Sequence, residues 1–406
     1  MKIGLFVGGM WVGGVTTFVL DLGRYLLDAG HQVAAVACDA GPWWPRLAEN
    51  GIPGVLLPPG RWESTAQHAR RLARFFGAEH YDVVFLNNGL GVRPAMLGLH
   101  LWPDAITAIP VLHNDLARVY VHAQINQAAW NVAIAVSPKV GRTAAALMPD
   151  KRIETIPSGI ALPTAQQLAA RADWELPLRL LFVGGLNDAH KGVLRLPAIL
   201  AGCRARAIPV RLAIIGAGPD RQRLDAAFTQ EGVMDRVEMR GQQPPEAVHQ
   251  AMRDHHLLLM PSNFEGLPLV SLEAQANGCV PVAAHLPGIT DLAVEAGVSG
   301  YLVGADDIAG YVASIASLAN AQNWSACSQA AIKRAAALFS VSVMGMRHLA
   351  LLEQVAAGAY RLPVPRRLLR EHGAPPMSPK DLLPGALRSW AARLRRRFAA
   401  LRGGKR

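Results

Sequence analysis

The chain reads as an α/β protein of two Rossmann-like domains facing a cleft, followed by a basic C-terminal tail. Three observations predict this. Short apolar runs alternate with helical periodicity along most of the sequence, the pattern of parallel sheets covered by helices. The alternation lapses after residue 161 and restarts after Pro177, so two such units lie in tandem. At 406 residues, 51% of them hydrophobic, the chain exceeds a single core and suits two of ordinary size.

In the first domain, placed at 1–161, Lys2–Val7 reads as a strand and Gly8 to Gly14 as a glycine-rich turn. Residues 15–29 follow as a helix with Val15, Phe18, Val19, Leu22 and Leu26 on one face. Gln32–Ala37, 83–86, 109–112 and 132–136 are further short strands with helical stretches between them. Residues 162–177 form a linker. The second domain, 176–335, has strands at Leu178–Val183, Val210–Ile215, 237–239, Leu257–Met260 and 280–283.

The run Leu257–Met260 leads into Pro261-Ser262-Asn263-Phe264-Glu265-Gly266-Leu267-Pro268-Leu269 and a helix reaching about Gly278. It is a strand-to-helix turn, the place where open α/β sheets hold ligands. Glu265 falls in the turn and Glu273 two turns into the helix. The N–H groups of Gly266, Leu267 and Leu269 lie where a helix start offers donors to an anion, and Pro268 is tolerated in a first turn. Two carboxylates for hydroxyls and a helix start for a phosphate suit a nucleotide sugar. The spacing alone describes, more often, a helix with an N-terminal Glu complementing its dipole and a solvated Glu273.

Phe264-Glu265-Gly266, the second Glu eight positions after the first, and Gly278-Cys279-Val280-Pro281-Val282 resemble the signature of the retaining glycosyltransferases of family four, which have the two-domain GT-B fold. The similarity continues through Pro287-Gly288-Ile289-Thr290-Asp291 and Gly300-Tyr301-Leu302-Val303, and extends over roughly residues 1–360. In that family the first Glu contacts the donor sugar and the second the ribose hydroxyls, which implies those roles for Glu265 and Glu273. The Gly13-Gly14 pair resembles the family's N-terminal glycine loop, where backbone faces the donor phosphates and acceptor. His113, at the end of the strand 109–112, matches a family His facing the donor sugar, although a lone His at a strand end is usually structural. Gly184-Gly185-Leu186 and His190-Lys191 match the turn that neutralises the diphosphate. Lys191 is present, but Gly185 stands where the family typically carries Arg. The resemblance further implies that backbone at Arg240-Gly241 reads the base, and that helices over 336–360 return to the first domain.

Other classes are disfavoured. Cys38, Cys203, Cys279 and Cys327 stand far apart with no CxxC or His/Cys cluster, which argues against a disulfide framework or zinc and fits a reducing cytosol. No metal is expected. Gly8-Gly9-Met10-Trp11-Val12-Gly13-Gly14 does not fit G-x-G-x-x-G, so no dinucleotide cofactor is expected. The uncharged stretch 3–20 holds five glycines and changes period within itself, unlike a signal or anchor.

Thirteen of the 41 Lys and Arg, but only two of the 30 Asp and Glu, fall in the tail 361–406. The tail therefore carries the whole excess of +11, and the body, expected to be complete at Tyr360, is neutral. Residues 361–380 read as extended. In 384–402, Leu387, Trp390, Leu394, Phe398 and Leu401 share one helical face while arginines fill most of the rest, the pattern of an interfacial helix on an anionic membrane. No fold module supports nucleic acid.

Together these readings imply a cytoplasmic enzyme, peripheral at the inner face of the membrane. It would move a sugar, a hexose in the expected case, from a UDP- or GDP-sugar to a hydroxyl of a glycan or lipid-linked acceptor, with retention. A sugar-nucleotide epimerase or inverting transferase of the same fold, or a nucleotide-sugar-binding protein without turnover, remains the alternative.

Overall fold

The computed structural model describes residues 1–89, 91–369, 379–384 and 387. The chain divides into two compact units: residues 1–136 and 141–156 with the chain from Gly345 on, and residues 137–140 with 157–344.

The first unit is built on a parallel sheet of β1 (Lys2–Val7), β2 (Gln32–Ala37), β3 (Gly54–Leu56), β4 (Val83–Asn88), β5 (Thr107–Leu112), β6 (Val132–Ala135) and β7 (Arg152–Thr155). Its order is β3-β2-β1-β4-β5-β6-β7. Central strands such as β1 and β5 are apolar at nearly every position because helices bury both faces. The edge strands β3 and β7 are short and half-exposed, three and four residues long, and β7 has a single apolar residue, Ile153. Helix Gly14–Asp28 buries Phe18, Val19, Leu22 and Leu26, as the periodicity predicts.

The second unit holds β8 (Leu178–Val183), β9 (Val210–Ile215), β10 (Val237–Gly241), β11 (Leu257–Met260), β12 (Val280–Ala284) and β13 (Tyr301–Val303), in the order β10-β9-β8-β11-β12-β13. Alternate residues of β8 and β9 split between two apolar cores. Leu178, Leu180 and Phe182 join Leu212, Ile214 and Tyr311 on one face, and Leu181 joins Ala213, Met252 and Leu258 on the other. All neighbouring strands run parallel in both sheets. The connection reverses direction between β1 and β4 in the first sheet and between β8 and β11 in the second. At such a switch point the loops diverge and leave a crevice outside the carboxyl ends of the strands.

The uncharged stretch 3–20 resolves into β1, the glycine turn and the start of a helix. No helix among the described residues is long and apolar enough to cross a membrane. The basic interfacial helix expected at 384–402 lies outside the described residues except for Pro384 and Leu387.

The expectation that the body is complete at Tyr360, with an extended segment after it, is corrected. Arg366 is only 2% exposed. It opens a short helix, Arg366–Leu369, and its guanidinium donates to the carbonyls of Pro103, Ile106 and Ala129 at 2.6–3.1 Å. Its backbone N–H donates to Asp104 Oδ1 at 2.7 Å. Burial pulls the guanidinium's pKa down to about 10, which leaves it charged at neutral pH. Further on, Asp381 in helix Pro379–Leu382 accepts both arms of Arg93 at 2.6 and 2.8 Å, and Pro384 makes an antiparallel bridge to Ser64. The start of the tail is part of the first unit. Arginines read as surface groups in a sequence, and Arg366 escapes that rule because backbone carbonyls receive its donors.

Candidate active site

In the second unit the chain leaves β8 through Gly184 and Gly185 and enters a short helix, Asp188–Lys191, capped by Asn187. Gly192 closes that helix at φ +59°, and a Cβ there would lie 2.1 Å from Pro261 O, so only glycine allows the approach. Across the switch point the chain leaves β11 through Pro261–Glu265. The two segments are tied together. Asn263 N–H donates to His190 O at 2.8 Å, its side-chain amide to Asp188 O at 2.9 Å, and Arg195 to Pro261 O and Asn263 Oδ1 at 2.9 and 2.7 Å.

This clamp sets Lys191 Nζ 2.6 Å from Glu265 Oε1. Both side chains are largely buried, at 17% and 8% exposure, which lowers the local dielectric and strengthens the pair. The Lys191 stem runs past Gly184, where an added Cβ would lie 3.6 Å from Cε. His190 stacks on Phe264 with ring centroids 4.3 Å apart and brings Nε2 to 3.9 Å from Glu265 Oε2. Beyond Glu265, helix Leu269–Ala276 begins at Pro268 with no side-chain cap. The N–H groups of Gly266, Leu267 and Leu269 have no acceptor among the described residues. Glu273 lies one turn into this helix, not two, and is 3.9 Å from His249 Nε2.

One cation, one carboxylate and a run of free helix-start amides thus meet at the end of the sheet where ligands are held. Such a set can neutralise an anion and orient a hydroxyl. Lys191 ends its helix instead of opening one. Gly185 leaves open space, with nothing nearer to a Cβ than Ala217 O at 4.0 Å. The neighbouring Arg195 does not fill the missing arginine's place, since Asp306 and Asn263 hold it. The Arg240 side chain is turned elsewhere. Its guanidinium pairs with Glu238 at 2.8 Å, in a groove of about 610 Å³ lined also by Arg179, Arg211 and His255, and its carbonyl accepts from Gln243. Sequence reasoning missed Phe264 and His190 as a stacked pair, His249 beside Glu273, and the Asn263–Arg195 clamp. It also missed Ser262, which is wholly buried and whose hydroxyl has no partner among the described residues.

In the first unit Gly13 and Gly14 are exposed at the start of helix Gly14–Asp28, with Gly13 at φ +151° and no side-chain cap. His113 follows β5. Asn87, on β4 and 1% exposed, donates its amide N–H to Phe6 O at 3.0 Å, and this fixes Oδ1 toward His113 Nε2 at 2.9 Å. Phe6 O only accepts, so Asn87 Oδ1 must accept as well and His113 Nε2 carries the proton. Desolvation, reinforced by the like charge of His348, pulls the His113 pKa down to about 3. At neutral pH the ring is uncharged, with Nδ1 as an acceptor. Phe18 packs edge-on against it at 4.9 Å. Among the described residues no group of three or more His, Cys, Asp or Glu could hold a metal, and the four cysteines are buried free thiols.

Each half of the chain matches a model of one family: "Glycosyltransferase Family 4" over residues 12–162 and "Glycosyl transferases group 1" over residues 177–321. The chain belongs to the family-four glycosyltransferases. It is similar to a protein named as a colanic acid biosynthesis glycosyltransferase, WcaL of Salmonella typhimurium, at 33% identity over 150 residues. That match spans 35% of this chain and 36% of the relative, about a third of each. A D-inositol 3-phosphate glycosyltransferase of Thermobispora bispora is 26% identical over 82% of this chain and 88% of its own length. Among solved structures, HepE of Anabaena in complex with UDP and glucose superposes with a TM-score of 0.73. That alignment covers 87% of this chain and 100% of HepE at 18% identity, a likeness of fold alone. The expected GT-B fold of this glycosyltransferase family is thereby borne out.

Proposed function

We propose that the protein transfers a sugar from a nucleoside diphosphate sugar to an acceptor hydroxyl with retention at the anomeric carbon. The observation that carries this reading is the buried Lys191–Glu265 pair beside free amides, at the switch point between β8 and β11. Lys191 and the N–H groups of Gly266, Leu267 and Leu269 stabilise charge on the departing diphosphate, the service this chemistry most needs. Glu265 orients the donor sugar and Glu273 holds the ribose. His113, neutral and oriented by Asn87, offers Nδ1 to a sugar hydroxyl, while backbone at Gly13 and Gly14 faces the donor and acceptor. Gly185 and the backbone at Arg240 border the nucleotide. That HepE was solved with UDP and glucose supports a UDP-sugar, and the name of WcaL supports an envelope glycan or lipid-linked acceptor. The basic segment 384–402 brings the enzyme to an anionic membrane holding that acceptor.

Incubation with a panel of UDP- and GDP-sugars and lipid-linked acceptors, followed by mass spectrometry and anomeric analysis of the product, tests this. An α-linked product from an α-linked donor is expected, and an inverted product would overturn the retaining mechanism. The open space at Gly185, where the family typically places Arg, favours a second reading as a nucleotide-sugar-binding protein without turnover. Tight nucleotide binding with no diphosphate release in the presence of any acceptor would decide for it.

A further inference from the structure

The first unit displays an apolar and basic face that neither its core nor the sugar chemistry uses. The bridge between Ser64 and Pro384 is its centre. Within three residues of that bridge lie Trp62, 63% exposed, and Leu382, Leu383 and Leu387, 58%, 42% and 45% exposed. Large apolar side chains gathered at this exposure mark an interaction site. Arg61 lies over the Trp62 ring, 5.5 Å from its centroid. The adjoining helix, Thr65–Glu79, exposes Arg70 and Arg74, and helix Pro379–Leu382 packs against it. The carboxylates beside the bridge are already neutralised: Arg71 holds Glu63 at 2.9 Å while the Gly60 N–H donates to it at 2.8 Å, and Arg93 holds Asp381 at 2.6 Å. The sequence then continues through Arg388, Arg393, Arg395, Arg396 and Arg397.

We propose that this face, built from Trp62, Arg61 and the exposed leucines of the C-terminal segment, docks directly on an anionic lipid bilayer. The proposal rests on reading the tail as membrane-seeking. It adds that the Ser64–Pro384 bridge and the Arg93–Asp381 pair hold residues 381–384 beside Trp62, while Arg366 anchors the chain before them, so that tail and first unit meet the lipid together. The chemistry favours lipid over glycan. Leucines give a sugar neither stacking nor hydrogen bonds, whereas an indole with flanking arginines suits the headgroup boundary, apolar body in and cations toward lipid phosphates.

Full-length protein is mixed with vesicles of phosphatidylcholine with or without phosphatidylglycerol, the phosphatidylglycerol brominated in its acyl chains in one series. Sedimentation reads binding, and the fluorescence difference between wild type and Trp62→Phe isolates Trp62. The expected result is sedimentation on anionic vesicles only, with Trp62 quenched by bromine. Trp62→Ala should weaken partition about tenfold, as loss of a buried aromatic body does. Asp381→Asn should keep sedimentation and reduce the Trp62 quenching. Sedimentation without quenching of Trp62 would overturn this face while leaving the tail reading in place; no sedimentation would overturn both. A Trp62 response to a soluble oligosaccharide but not to lipid would reassign the face to acceptor and overturn the proposal, and diphosphate release on a soluble acceptor reports the sugar-transfer reading independently.

Discussion

At the scale of single residues, the Lys191–Glu265 contact makes the proposed role of Lys191 testable together with stability. Lys191→Ala should lower kcat/KM by about 30- to 1,000-fold, the loss of roughly 2–4 kcal/mol of transition-state stabilisation. The same change strands a carboxylate only 8% exposed, so the urea midpoint should also fall, by about 1–3 kcal/mol of stability. Near-wild-type turnover would refute the role of Lys191. The two carboxylates separate in a calorimetric titration with UDP and GDP. Glu273→Ala should weaken binding by about 1.5–3 kcal/mol, whereas Glu265→Ala should leave it nearly intact and depress transfer. The reverse pattern would exchange their roles. His113 gives a pH signature. Its folded pKa, about 3, is below the unfolded value near 6.5, so the unfolded chain binds the extra proton between them. Its contribution to stability is complete above pH 6.5 and is lost as pH falls toward 3, by at most about 1.4 kcal/mol per pH unit. Denaturant midpoints from pH 7 to 5 should fall less steeply in His113→Gln than in wild type; parallel curves would count against a neutral, desolvated ring. Glu265, Glu273 and Lys191 stand out in the sequence because motif and turn chemistry name them. The Lys191–Glu265 contact does not, since it spans 74 positions and exists only once β8 and β11 are neighbours. Asn87 was invisible for a similar reason: a polar residue at a strand end declares its acceptor only through tertiary geometry.

At the scale of elements, the central strands were read closely because burial on both faces writes itself as an unbroken apolar run, as in Leu178–Val183 and Leu257–Met260. Strands β3 and β13 were missed because each is only three residues long, and β7 because Ile153 alone among its four residues is apolar. The segment after Tyr360 was misread for a different reason. Its prolines and arginines have the composition of an extended, solvated linker, and composition does not reveal that three carbonyls await one guanidinium. Arg366→Met should therefore destabilise the first unit by on the order of 3 kcal/mol, since it leaves the carbonyls of Pro103, Ile106 and Ala129 short of donors. A urea midpoint unchanged within error would show that the segment only rests on the surface. Arg195→Ala should loosen the clamp between the segments that follow β8 and β11 without touching the core.

At the scale of the whole molecule, truncation acts in two stages. A chain ending after Leu387 keeps Arg366, Asp381 and Pro384, and should remain folded and active on a short soluble acceptor while losing most salt-sensitive sedimentation with anionic vesicles. A chain ending at Tyr360 loses those anchors and should melt earlier. Equal melting of the two would mean that the root of the tail adds nothing. The buried Arg366 also bears on the order of biosynthesis. Residues 157–344, which make up nearly all of the second unit, leave the ribosome as one continuous block and can fold as they appear. The first unit begins earlier and finishes later: its sheet is complete at Thr155, yet its plug is made 210 residues after Ile156. At roughly 5–20 residues per second that is about 10–40 s. During that interval three carbonyls and the apolar ground around His348's seat wait open while the later half is being made, so the unit that starts the chain is the last to close.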